Sequence, residues 1–174
     1  MELWLVRHGE TQWNREGRLL GWTDLPLTPE GEAQAKALRE RLPPLPAHSS
    51  DLRRALRTAE LAGFAPQATP SLREIHFGLL EGALWEGLDP VHKEALLRFQ
   101  GFRPPGGETL EDFQERVFRF LEELREPSLL FTHGGVVRAV LRALGEDGLV
   151  PPGGVVVVDW PHRVLELDRG KGGG

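Results

Sequence analysis

Two stretches of the chain share one pattern, and together they narrow the fold more than anything else in the sequence. "LWLVRHG" (residues 3–9) and "SLLFTHGG" (residues 128–135) each run apolar and then stop at His-Gly. A strand that is apolar on successive positions is covered on both faces, as in parallel sheets flanked by helices. In such sheets ligands sit beyond the carboxyl ends of the strands. If the two strands are parallel neighbours, His8 and His133 emerge side by side at that edge. Gly9, Gly134 and Gly135 are then expected to let backbone N–H groups approach an anion closely.

The rest of the chain alternates short apolar runs with helical patterns, predicting an α/β fold around a mainly parallel sheet. The first strand is expected over residues 2–6, and a polar loop then reaches about Leu27. "LTPEGEAQAKALRERL" reads as a helix with Thr28 as N-cap, Pro29 at its first position and Pro43 ending it. A short strand is expected at 45–49. "DLRRALRTAELA" places Leu52, Ala55, Leu56 and Ala59 on one helical stripe. Between 65 and 106 only a helix near 90–100 and a break at "RPPGGE" stand out. "TLEDFQERVFRFLEEL" is the clearest helix, with Thr109 and Asp112 at capping-box spacing. "VVRAVLRALG" gives a further helix, and "VVVVDW" and "RVLEL" read as closing strands. Strand order is not legible in this pattern. Residues 1–168 are expected to form one domain, and "RGKGGG" (169–174) a flexible tail.

Composition excludes several functions. With no Cys among 174 residues there is no disulfide framework, thiolate nucleophile or Cys-based zinc site. A net charge of −5 argues against a general nucleic-acid surface. No apolar run approaches the roughly 20 residues of a membrane helix. No secretory leader pattern opens the sequence. A cytoplasmic location is expected, with no nucleic-acid or membrane partner.

The chemistry then follows from residue types. Arg7 adjoins His8, and "SSDLRRALRT" brings Arg53, Arg54 and Arg57 to the start of a helix, where free N–H groups already favour anions. Arg presents a planar, permanently charged fork suited to phosphate oxygens. Phosphoryl transfer demands mainly that charge on three oxygens be stabilised. A neutral imidazole can act as nucleophile near pH 7, and neighbouring Arg charges favour the neutral form. A leaving alkoxide needs a proton, and "LREIHFGLLEG" offers Glu74 and Glu81 as donors. One tension remains, because Arg neighbours lower a carboxyl pKa whereas a general acid needs it raised.

These residues carry a resemblance. "RHGETQWN", "GWTDLPLTPEGEAQA", "SSDLRRALRTAE", "LREIHFGLLEG", "PPGGETLEDFQERV" and "FTHGGVVRAVL" occur in the order found in the histidine phosphatase superfamily, also called phosphoglycerate-mutase-like. The resemblance implies a three-layer α/β/α sandwich. By position, His8 is similar to the nucleophile that becomes phosphohistidine, and Arg7 and Arg54 to the two phosphate-binding arginines. Glu74 is similar to the proton donor and His133 to the second histidine of the phosphate pocket. Asn14, Gly21 and the backbone near Gly134 resemble further substrate contacts. The family implies no metal, no cofactor is expected for this chain, and the sequence shows no HExxH or comparable ligand spacing.

The superfamily holds both phosphatases and cofactor-dependent mutases. Only about two dozen residues separate "FGLLEG" from "PPGGET", and "LREIHFGLLEG" resembles the phosphatase form. The expectation is a phosphomonoesterase for a small phosphorylated metabolite, of the broad-specificity or α-ribazole phosphatase type, with a homodimer as the modest expectation for assembly. Phosphoglycerate mutase is the alternative, and an inactive phospho-ligand-binding relative is a third reading. Arg57, His48, His92 and His162 read as surface or loop residues. Trp13 and Trp22 read as packing, with lining of the pocket mouth as the alternative, and His76 as either structural or an outer support to the pocket.

Overall fold

The computed structural model describes residues 1–168, so the expected tail lies outside the described residues. One six-stranded sheet organises them. Its strands are β1 (Glu2–Arg7), β2 (Ala47–Ser50), β3 (Gln67–Thr69), β4 (Ser128–Thr132), β5 (Val155–Asp159) and β6 (Arg163–Leu167). They lie in the order β3-β2-β4-β1-β5-β6. The first four in that order are mutually parallel; β5 then runs antiparallel to β1, and β6 at the edge antiparallel to β5.

The apolar runs behave as two-faced strands. Leu3, Leu5, Leu130, Val156 and Val158 point into one core with Phe113, Val117 and Leu121 of α5 (Leu110–Glu123) and with Val136, Val137 and Val140 of α6 (Gly134–Ala143). Val6, Leu129, Phe131, Val155 and Val157 point the other way. There they meet Leu38, which follows α2 (Pro29–Ala37), and Ala59 of α3 (Arg53–Leu61). Helices therefore cover both faces, giving the three-layer α/β/α sandwich.

Local capping chemistry accounts for where the helices start. Thr28 accepts from the Gly31 N–H with Pro29 at the first position of α2, as its sequence predicts. Thr109 accepts from the Asp112 N–H at the start of α5. The two-way capping box forms elsewhere, at α1 (Gln12–Glu16), a helix inside the stretch expected to be a polar loop. There Thr11 and Asn14 each bond the other's backbone N–H. β3 also escapes the sequence pattern, because three residues are too few to show a period. α4 (Pro90–Arg98) falls where a helix was expected, and none of its residues is buried.

Candidate active site

β1 and β4 pair in parallel with Arg7 opposite Thr132. The His8 N–H donates to the Thr132 carbonyl at 3.0 Å, so His8 and His133 each lie one residue beyond a registered pair. Their ring centroids are 5.1 Å apart at 62°. β2 lies on the other side of β4, and the chain leaving it enters α3 and delivers Arg54 to the same edge.

His8 is buried, and its Nδ1 lies 2.7 Å from the Gly9 carbonyl. A carbonyl only accepts, so Nδ1 carries the proton and Nε2 keeps its lone pair. Burial pulls the His8 pKa well below its usual value, and the charges of Arg54 and Arg7 lower it further. His133 is held neutral in the same way, by burial first and by Arg54 next. Its Nε2 lies 2.8 Å from Ser50 Oγ, which also accepts the Leu52 N–H at 3.3 Å.

Arg54 is fully buried. Its guanidinium donates to the Thr23 carbonyl at 2.9 Å and to the Gly21 carbonyl. Burial lowers its pKa to about 10, so it stays cationic at neutral pH. Arg7 donates through Nη1 to the Val150 carbonyl at 2.6 Å. Among the described residues, three buried side-chain polar atoms have no hydrogen-bond partner: Arg7 Nε, Arg54 Nε and His133 Nδ1. All three belong to this site. Buried polar atoms are rarely left unpaired, and here two permanent cations and an imidazole nitrogen converge beside His8.

Glu74 closes the far side. Its Oε2 accepts the Gly135 N–H at 2.9 Å and its Oε1 the Ile75 N–H at 3.1 Å. Burial raises its pKa, and this outweighs the two backbone bonds and the arginine charges that pull the other way. The tension seen in the sequence is thereby resolved in favour of desolvation. Arg116 from α5 and Trp22 Nε1 both donate to the Glu74 carbonyl, at 3.2 and 2.8 Å, and fix its backbone. Trp22 and His76 meet edge to face at 4.5 Å, and His76 Nδ1 accepts the Gly78 N–H, so both are supports of the Glu74 turn.

Glu81 does something different from Glu74. Its Oε1 accepts the Gly21 N–H at 2.6 Å and the Thr23 N–H at 3.1 Å. The carbonyls of those same two residues hold Arg54. Glu81 thus fastens the loop that grips the arginine. Glu81→Ala would leave two N–H groups unpaired, costing about 1–3 kcal/mol each where enclosed. The expected result is a roughly tenfold weaker competitive inhibition by inorganic phosphate, with a similar fall in kcat/KM for esters of good and poor leaving groups; loss of a proton donor would instead spare turnover of good leaving groups.

The glycines are needed for another reason than expected. A Cβ on Gly9 would strike the Gly31 carbonyl, and one on Gly135 would strike the Glu74 carboxylate. Gly134 lies 3.3 Å from Arg7 Nε by the same measure. These glycines admit protein groups, and the Gly135 N–H is taken by Glu74. Only the Gly134 N–H, at the first position of α6, has no helical carbonyl to bond and stays suited to an anion. Gly21 is likewise required, by the close Ile75 carbonyl and Glu81 carboxylate. Asn14 Oδ1 caps α1, which leaves its NH2 group as the end able to donate to an anion.

Sequence reasoning missed Ser50, Thr58 and Arg116. Thr58 Oγ1 accepts the Gly9 N–H at 3.0 Å and donates to the Arg54 carbonyl at 2.7 Å, tying the loop after β1 to α3. Arg57 pairs with Glu32 and Glu60 on the surface, as expected. His48 and His92 pack edge-on against Phe120 and Phe102, and His162 is exposed.

A buried imidazole pair flanked by two arginines, at the carboxyl edge of a parallel sheet, is the arrangement of an enzyme that handles phosphoryl groups. The chain belongs to the histidine phosphatase superfamily (branch 1), whose family model matches residues 3–156. It is 77% identical to the crystal structure of phosphoglycerate mutase from Thermus thermophilus, with a TM-score of 0.96, covering 98% of this chain and 100% of that one. A metal-independent phosphoserine phosphatase from Arabidopsis thaliana is 37% identical over 80% of this chain and 66% of its own length. The chain therefore spans just under two thirds of that relative. A candidate alpha-ribazole-5'-P phosphatase from Escherichia coli K-12 is 29% identical, with a TM-score of 0.81 over 99% of this chain and 98% of that one. Phosphatases and phosphoglycerate mutases are thus both among its relatives. Among the described residues no helix is long and apolar enough to cross a membrane.

Proposed function

We propose that the chain is a phosphomonoesterase that hydrolyses a small phosphorylated metabolite through a phosphohistidine on His8. The observation that carries this is the convergence of Arg7 Nε, Arg54 Nε and His133 Nδ1, unpaired and buried, beside a His8 whose Nε2 lone pair is free. Those atoms would bind the phosphoryl oxygens. Ser50, donating its one hydroxyl proton to His133 Nε2, would keep the Nδ1 proton aimed at them.

His8 Nε2 attacks phosphorus, the N–P bond forms and the ester P–O bond breaks. Glu74, whose carboxyl pKa burial raises, gives its proton to the departing oxygen. In the second half, the Glu74 carboxylate takes a proton from water as that water attacks phosphorus and releases phosphate and neutral His8. Glu74 suits this role better than Glu81, because burial raises its pKa and it borders the cavity beside Arg7, whereas Glu81 is tied to the Gly21 and Thr23 loop that grips Arg54.

The second reading, phosphoglycerate mutase, is favoured by the Thermus relative described under that activity. In it the phosphoryl group returns from His8 to a substrate hydroxyl. Hydrolysis is better supported by the thin cover between "FGLLEG" and "PPGGET": its main element is α4, a nine-residue helix with no buried residue. Phosphate release from phosphomonoesters, measured beside conversion of 3- to 2-phosphoglycerate with bisphosphoglycerate present, separates the two.

The pH profile follows from two opposite shifts. A proton donor raised above the ordinary carboxyl value stays loaded to higher pH, and rate falls as pH climbs through that raised value. Imidazoles lowered below 6.5 stay neutral on acidification, so the acid limb lies below the ordinary histidine range. Comparing kcat against pH for the wild type and Glu74→Gln should show the alkaline limb in the wild type alone. The substrate's own phosphate ionisation is common to both curves and cancels. An identical alkaline limb in both enzymes would remove Glu74 from the role.

A further inference from the structure

Beside Glu74 and Arg7 the protein keeps a cavity of about 280 Å³, bounded by Gly134 and Gly135 on the catalytic side. That is the volume of about nine waters at ~30 Å³ each, enough for a bicyclic body. Its walls are nearly all apolar. Phe77, Phe113, Leu110, Trp85, Phe99 and Leu96 are among the residues that line it. Leu97 and Leu149 line the same cavity yet are 62% and 71% exposed, so the apolar surface continues out to solvent.

Two cations are among the lining residues, Arg7 and Arg138. Arg7 belongs to the phosphoryl end. Arg138 is spent within the protein: it donates to both Asp147 oxygens and to the Leu96 and Leu97 carbonyls, and its guanidinium lies 4.7 Å above the Phe99 ring. Asp147 balances its charge. A carboxylate carried on the leaving group would lose water here and gain no partner, a cost of several kcal/mol if fully enclosed. An aromatic or branched apolar group would instead be attracted by the area it removes from water.

From this we infer that the leaving group the chain selects is apolar and uncharged, of aromatic or branched aliphatic character, and that carboxylated monoesters such as phosphoserine and 3-phosphoglycerate are poor substrates. The inference rests on the phosphohistidine reading of the same site, because the cavity counts as a leaving-group pocket only if phosphorus sits beside His8. It separates this chain from the activities by which two of its relatives are known. α4 and the segment before it supply Trp85, Leu96 and Leu97, so selectivity resides in the part of the chain whose sequence pattern was hardest to read.

The test compares 2-(1-naphthyl)ethyl phosphate with ethyl phosphate, whose leaving alcohols have nearly equal acidity, alongside phosphoserine and 3-phosphoglycerate. The naphthyl ester should show kcat/KM at least about 30-fold above ethyl phosphate, in keeping with the selectivity hydrophobic pockets achieve. The two carboxylated esters should fall at or below ethyl phosphate. The double variant Leu97→Lys/Leu149→Lys changes only exposed rim positions, and should cut the naphthyl-to-ethyl ratio about tenfold while improving 3-phosphoglycerate. Equal kcat/KM across the four esters, or a preference for a carboxylated one, overturns the inference and leaves the phosphohistidine reading standing. No phosphate release from any ester, with no acid-labile label on His8, overturns both.

Discussion

His8→Ala should reduce turnover of any phosphomonoester by about 10⁴-fold or more, the scale of loss when a covalent nucleophile is removed. The same variant should take up no acid-labile label from a radioactive phosphomonoester, whereas the wild type should be labelled on that residue. The expectation is sharp because nothing nearby can substitute. His133 is 5.1 Å away by ring centroid, but its Nε2 is engaged by Ser50 and its Nδ1 belongs to the phosphoryl pocket. Loss of a buried imidazole also opens a small space, so a thermal melt should accompany the assay to show a folded variant. Retention of more than about a tenth of wild-type turnover by folded protein would sink the mechanism.

Arg54→Met is expected to be nearly as damaging, about 10³-fold in kcat/KM, since an arginine opposing developing phosphoryl charge contributes on that scale. Methionine approximates the length of the side chain but supplies no charge, and it leaves the Gly21 and Thr23 carbonyls without their donor. A second readout separates electrostatics from simple collapse of the pocket. Arg54 is the largest charge holding both imidazoles neutral. Its removal lets their pKa values rise, so the acid limb of the residual activity should move to higher pH. A pocket that had merely loosened would lose rate with the limb unmoved.

What the sequence made legible and what it hid divide along a physical line. β1 and β4 are visible because two-faced burial writes itself into consecutive residues, and the His-Gly endings show where both strands reach the sheet edge. α2 and α5 are visible because caps and apolar stripes are local. Strand order is not local: β1 pairs with β4 across more than a hundred residues of chain, and no periodicity encodes that choice. The glycines were misjudged for the same reason. What a Cβ at Gly9 or Gly135 would strike belongs to Gly31 or Glu74, far along the chain. The Glu74 pKa could not be signed from its neighbours in sequence, because burial outweighs the arginines. Ser50 looks like an ordinary hydroxyl residue at the end of a strand, and Thr58 like one within a helix. Only the closed fold shows that each hydroxyl is shared with the site.

The pairing of Arg7 with Thr132 has one more implication. Adjacent strands lie about 4.8 Å apart whatever their side chains, so the gap between the two imidazoles is inherited from the backbone ladder and is hard to mistune. The helix and loops over the cavity carry no such ladder. Natural variation can therefore rewrite what enters the pocket without touching how phosphorus is handled, as a tool holder keeps its grip while the bits are changed.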